Sequence, residues 1–156
     1  MVTAGSLPRI DEHATTVSAP APVVWDALLH IAEHSLGSSR STAVARALGC
    51  RDDAPAGPRP LAAGSAFPGF HVVAADAPRQ LELAGSHRFS RYALIFRLDE
   101  LAAGRVQLRA ESSAEFPGLH GALYRALVIG TRGHVLAVRR LLATIKRRAE
   151  QNVGPA

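Results

Sequence analysis

From residue 70 onward, apolar and polar side chains alternate with a period of two. Segments 70–75, 80–84, 90–99 and 105–116 each carry this pattern, which places one set of side chains on each face of a β-strand. Asp76-Ala77-Pro78, Gly85-Ser86 and Ala103-Gly104 read as the turns between them, and connections this short imply antiparallel neighbours. In the two longest strands Tyr92, Leu94, Phe96 and Leu98 share a face, as do Val106, Leu108, Ala110, Ser112 and Ala114. Gln107, Arg109, Glu111, Ser113 and Glu115 occupy the other side, so the pattern predicts a sheet with one buried and one wet face.

Helical periodicity flanks this block. After an opening strand expected over 13–18, Pro20 and Pro22 suit a helix start because the first turn needs no N–H partner there. Val24, Leu28 and Ile31 then share one face, with Trp25, Leu29 and Ala32 beside them, and Gly37 with the following serines ends the helix. A second short helix is expected over 41–48, capped by Ser41 and stopped by Gly49. Segment 50–69 holds Pro55, Pro58, Pro60, Pro68 and three glycines, and reads as a loop with one short edge strand over 62–67. A plain connector is the simpler expectation, and a lid over a pocket the alternative.

Beyond Pro117-Gly118 a long helix is expected to reach about Glu150. Leu123, Leu127, Val135, Val138, Leu142 and Ile145 supply its apolar side, and Arg125, Arg132, Arg139 and Lys146 recur every seven residues on a basic side with Arg140 and Arg147. Such a helix would be about 45 Å long and would lie across the whole sheet. Gly130 and Gly133 each cost about 1 kcal/mol relative to alanine in a helix interior, which makes Ile129-Gly130-Thr131-Arg132-Gly133 a candidate break. Asn152, Gly154 and Pro155 end the element.

At 156 residues and 47% hydrophobic composition the chain suits a single α+β domain over 11–150, with a loose lead-in at 1–10 and a tail at 151–156. No apolar run approaches the roughly 20 residues of a membrane span, and the first ten residues lack a signal-peptide pattern, so a cytoplasmic location is expected. The single cysteine, Cys50, excludes an internal disulfide. A net charge of +5 permits anionic partners, but aromatics make up only 5% of residues and do not interleave with the basic ones. A nucleic-acid stacking platform is therefore not expected, and the arginine stripe reads as a solvated helix face.

Three features together resemble a known superfamily: the opening Val17-Ser18-Ala19-Pro20-Ala21-Pro22-Val23-Val24-Trp25-Asp26-Ala27-Leu28, the central strand set and the long closing helix. Over 13–150 the chain resembles the SRPBCC, or START-like polyketide cyclase, superfamily. Gly69-Phe70-His71-Val72-Val73, His87-Arg88-Phe89-Ser90-Arg91-Tyr92 and Phe116-Pro117-Gly118-Leu119-His120-Gly121 are similar to a bacterial branch of it without settled activity. The resemblance implies a helix-grip fold: a curved antiparallel sheet wrapped around a long C-terminal helix, with two short helices after the first strand. It also implies an apolar or amphipathic cavity, which members use to bind lipids, hormones or polyketides and a minority use for chemistry. No position matches a catalytic motif of the cyclases, so no catalytic residue carries over.

Two constellations could carry chemistry. His30-Ile31-Ala32-Glu33-His34 fits the HxxEH pattern of inverted zinc peptidases, with Glu111 as a conceivable distant ligand. In a short chain with seven histidines an ordinary helix end is the expectation, and neither metal nor cofactor is predicted. Ser90 and Tyr92 share the face of Leu94 and Phe96, where hydroxyls could orient a ligand in an apolar cavity. Phe70, Ser90, Tyr92, Leu94, Phe96, Leu108, Tyr124 and Val128 form the expected ligand-binding set, with His71, His87 and Arg88 candidates for the mouth. The leading expectation is non-catalytic binding of a small lipid- or polyketide-like molecule between the sheet and the last helix. The alternative is a cyclase or dehydratase using pocket hydroxyls or histidines. A third reading, an interaction module, predicts a filled core. The expected partner is the small ligand, and a homodimer is left open.

Overall fold

The computed structural model describes residues 6–154; the remainder of the expected lead-in and tail, residues 1–5 and 155–156, lies outside them. Strand β1 (Arg9–Val17) leads into α1 (Ala21–Ile31), which widens into a π-helical turn over Ala32–Leu36. Helix α2 (Ser39–Leu48) follows, then β2 (Ala66–Phe67), β3 (Phe70–Asp76), β4 (Gln80–His87), β5 (Ser90–Ala102) and β6 (Arg105–Glu115). Helices α3 (Gly118–Val128) and α4 (Gly133–Asn152) close the chain. The strands form one antiparallel sheet in the order β1-β6-β5-β4-β3-β2.

Register decides which residues meet on the inner face. Leu108 pairs with Thr15 and Leu98, Ala110 with His13 and Phe96, Ser112 with Asp11 and Leu94, and Ala114 with Tyr92. On the next strand Phe96 faces Leu81, Leu94 faces Leu83 and Tyr92 faces Gly85. Phe96, Leu108, Leu81, Leu83 and Val106 are fully buried beneath α1 and α4, which contribute Val24, Leu28, Val138, Leu142 and Ile145 to the same core. Two tethers hold α4 to the end of β1: the Lys146 ammonium donates to the Thr16 carbonyl at 2.6 Å, and the Ser18 N–H donates to the Glu150 carboxylate at 2.9 Å. Lys146 is therefore a cross-link rather than part of a free basic stripe, while Arg139, Arg140 and Arg147 face solvent.

Several expectations change. The closing helix is not continuous. Arg132 adopts a left-handed conformation (φ 56°), the Thr131 hydroxyl donates back to the Leu127 carbonyl, and the axis breaks between α3 and α4. The break alters the helical phase, so Gly121, Tyr124 and Val128 face the sheet, whereas Leu119, Leu123 and Leu127 are 89%, 73% and 65% exposed. Leu123 and Leu127 thus do not cover the sheet as their spacing predicted. The cap of α2 is Ser38, whose hydroxyl accepts from the Ser41 N–H at 3.2 Å, not Ser41. Within the described part of the lead-in the chain is held: Leu7 is buried against Ala93 and Ile95 on the outer face, and the Ala114 N–H donates to the Pro8 carbonyl.

Gly85-Ser86 is not a turn; β4 continues to His87 and the hairpin reverses at Arg88 and Phe89. Glycine stands at 85 because another chain segment lies on it. A β-carbon there would come within 2.1 Å of the Gly69 carbonyl oxygen and 2.6 Å of the Tyr92 ring. Replacing Gly85 by alanine should therefore cost about 1–3 kcal/mol, as overpacked sites do. Denaturant unfolding measures it, and a variant as stable as the parent would contradict this close approach.

Candidate ligand cavity

The inner face is covered unequally. Helices α1 and α4 press onto one half, while the other half, near the upper ends of β5 and β6, lies beneath α2, α3 and the segment before β3. Because α3 turns only its Gly121-Tyr124-Val128 side inward and α2 buries only Ala45, side chains do not fill this half. A cavity of about 430 Å³ remains, within the range of small-molecule sites. Leu36, Val44, Leu48, Phe70, Leu94 and Phe116 provide much of its apolar wall.

At one end stands an aromatic group with few polar atoms. Tyr92 donates its hydroxyl hydrogen to the Gly69 carbonyl at 2.6 Å, and its ring meets Phe70 edge-on at 5.2 Å. The Cys50 Sγ lies 4.0 Å from that hydroxyl. Burial drives the Tyr92 phenol far above the ordinary tyrosine range, with Cys50 and Asp52 adding to the effect, so it stays protonated at any working pH. Burial also raises the Cys50 thiol, an environment opposed to thiolate nucleophilicity. Tyr124, raised chiefly by burial, contacts His87 edge-on at 4.8 Å and stacks on Phe89 at 5.7 Å. His87 is itself lowered by burial and bonds the Phe89 N–H through Nδ1.

At the other end, where β1 and β6 meet the start of α4, polar atoms lack partners. Ser112 Oγ, Asp11 Oδ1 and His134 Nε2 are sealed from solvent without a hydrogen bond among the described residues. Asp11 Oδ1 and His134 Nε2 face each other at 3.5 Å, too long for a good hydrogen bond, and a buried hydroxyl left unmet, as Ser112's is, costs about 1–3 kcal/mol.

The structure brings Phe70, Ser90, Tyr92, Leu94, Tyr124 and Val128 of the expected set to the cavity wall. Phe96 and Leu108 lie instead in the solid core below, because α1 and α4 pack directly onto them. Ser90 offers only a long 3.4 Å contact to the Arg91 carbonyl. His71 pairs with Asp52 at 2.8 Å and does not border the cavity, nor does Arg88, whose backbone N–H joins the Leu48 carbonyl. Sequence reasoning missed the α2 residues, Cys50 and His134, since none shares a strand face. Ser112 was placed on the inner face by alternation but not singled out.

The 50–69 segment is fastened rather than free. Arg59 donates to the carbonyls of Ala56, Pro58 and Ala66, Ser65 donates to the Pro58 carbonyl, and the Gly69 N–H bonds the Asp52 carbonyl at 2.7 Å. The HxxEH residues assemble no centre. His30 and His34 stack with centroids 3.9 Å apart, His34 Nδ1–H donates to the His30 carbonyl, Glu33 pairs with Arg59, and Glu111 pairs with Arg97. Among the described residues no three His, Cys, Asp or Glu side chains are grouped to hold a metal ion. No helix among them is long and apolar enough to cross a membrane.

Element order, the curved sheet and the closing helices together define a helix-grip protein. Among solved structures the chain is similar to the ZhuI aromatase/cyclase from Streptomyces sp. R1128, with a TM-score of 0.60 at 15% identity over 94% of this chain and 96% of that one. A point mutant of norcoclaurine synthase from Thalictrum flavum, in complex with a transition-state analogue, matches at a TM-score of 0.59 and 9% identity, covering 96% of this chain and 100% of the other. The di-domain ARO/CYC BexL, from the BE-7585A biosynthetic pathway, matches at 0.56 and 13% identity over 93% of this chain and 47% of its own. No family model matches the chain, and no curated protein matches it in sequence. The fold is accordingly the helix-grip fold, as the opening and closing segments implied.

The lowered His87 gives a pH signature. Its folded-state affinity for protons is below the ordinary value of 6.5, so the unfolded chain takes up the extra proton as pH falls. Stability should decline below about pH 6.5, and the His87→Gln variant should lose that part of the decline. Urea unfolding of both proteins at about pH 7.5 and about pH 5 checks this; identical pH dependence would refute the assignment.

Proposed function

We propose that the protein binds a small hydrophobic or amphipathic molecule, lipid- or polyketide-like, in the cavity between the sheet and helices α2 and α3. The observation that carries this reading is a ligand-sized void with a mainly apolar wall and a few convergent polar groups, beside a core buried beneath α1 and α4. A filled core, which an interaction module using the basic helix would have, is not what the upper half of the inner face presents.

The second reading is cyclase- or dehydratase-type catalysis, prompted by neighbours whose names denote aromatase/cyclase and norcoclaurine synthase activity. Acid–base work by Tyr92 would need its proton to be available. That hydroxyl is committed to the Gly69 carbonyl, and His87 meets Tyr92 and Tyr124 through their rings. This arrangement favours binding over chemistry at the aromatic end.

A ligand at about 100 times its Kd should stabilise the fold by about 2.7 kcal/mol, which is roughly 5–10 °C in Tm for a domain of this size. Thermal-shift and native mass spectrometry with fatty acids and aromatic polyketides measure it. Filling the cavity with Val128→Trp should abolish the shift while the free protein keeps its fold. If no apolar compound stabilises the wild type, or if Val128→Trp binds equally well, the reading fails.

A further inference from the structure

The cavity's polar end is more specific than its volume. Four inward positions converge there: Asp11 and His13 on β1, Ser112 opposite Asp11 on β6, and His134 in the first turn of α4. An extra residue, Ile10, interrupts the β1–β6 ladder beside them, and Ile10, Ser112 and His134 all line the cavity. The Asp11 carboxylate lies between two imidazoles, with Oδ2 3.2 Å from His13 Nε2 and Oδ1 3.5 Å from His134 Nε2. A carboxylate only accepts, so each ring turns an Nε2–H toward it, and in the neutral His134 ring Nδ1 then carries a lone pair. That Nδ1 is neither sealed nor bonded within the described residues. Ser112, also in the cavity wall and 3% exposed, holds a hydroxyl with no hydrogen-bond partner among the described residues.

Resting on the binding reading above, we infer that His134 and Ser112, with Asp11 as positioning residue, anchor the hydroxyl group of an alcohol or phenol ligand. The ligand O–H donates to His134 Nδ1, and its oxygen accepts from the Ser112 hydroxyl once that rotor turns to it. A hydroxyl suits both neighbours, because it can donate to one while accepting from the other. A carboxylate cannot donate to Nδ1 and would stand near the Asp11 charge, and an ammonium cannot accept from Ser112. The break before α4 makes the arrangement, because it starts a new helix whose first turn points His134 at β1.

The test uses the intact protein with naphthol, methylnaphthalene, naphthoate and naphthylmethylamine, which share one apolar body, in calorimetric titrations. Naphthol should bind about tenfold more tightly than methylnaphthalene, as expected for two relieved polar groups. Ser112→Ala and His134→Phe should each remove most of that advantage while leaving methylnaphthalene within about twofold. Asp11→Asn should reduce it too. In this variant the ¹⁵N spectrum of the His134 ring should shift away from the Nε2–H tautomer, which a merely structural role would not cause. Methylnaphthalene binding as well as naphthol, or naphthoate or the amine binding best, overturns the anchor and leaves the cavity reading intact. If none of the four binds, both fall. Should one variant fail to fold by circular dichroism, the other two still decide the matter.

Discussion

Packing of α1 and α4 against one half of a curved sheet is the constraint on which the remaining geometry depends. Burying Phe96, Leu108, Leu81 and Val106 beneath Leu28, Val138, Leu142 and Ile145 makes one continuous apolar core. Removal of that surface from water is the dominant stabilising contribution in a domain of this size. Once α4 is fixed there, tethered by Lys146 and Glu150 to the end of β1, the preceding chain cannot continue its axis over the rest of the sheet without following the curvature. It breaks at 129–132 instead, and α3 covers the other half at a different phase. The void under α3 is thus a consequence of a tightly packed lower half.

The two ends of that void differ in how they treat polar atoms. At the aromatic end Tyr92 and His87 have partners: Tyr92 bonds the Gly69 carbonyl, and His87 bonds the Phe89 backbone. Gly85 permits this by leaving room for the Tyr92 ring and the Gly69 backbone to lie on β4. Such a satisfied end is rigid and defines shape. At the β1–β6–α4 end the Ser112 hydroxyl is buried without a hydrogen bond among the described residues, and Asp11 Oδ1 and His134 Nε2 meet only each other, at 3.5 Å, an unfavourable state for polar atoms unless something else meets them. Shape selection at one end and polar selection at the other is the division of labour expected of a site that orients an amphipathic molecule.

Much of the architecture was legible because periodicity reports burial. Alternation over β5 and β6 assigned Tyr92, Leu94, Ser112 and Ala114 to the inner face, and the glycine pair marked the helix break. Where local pattern and structure differ, a distant segment of the chain decides. Gly85 looked like a turn residue because glycine serves both turns and close approaches. Leu123 and Leu127 had helical spacing, but a break in phase sends them to solvent. Phe96 and Leu108 sit on the correct face, yet whether such a position lines a void or a core depends on which helix lies above it.

By itself, then, the sequence determined the element order, the antiparallel sheet with its buried face and the presence of a closing helical cover, since these follow from side-chain spacing along the chain. Only the tertiary structure decided where the cover stops short, which hydroxyls find partners, and that Asp11 and His134, more than a hundred positions apart, come to share one corner. Those outcomes depend on strand register and on the rotation of α3 relative to α4, which no local pattern encodes.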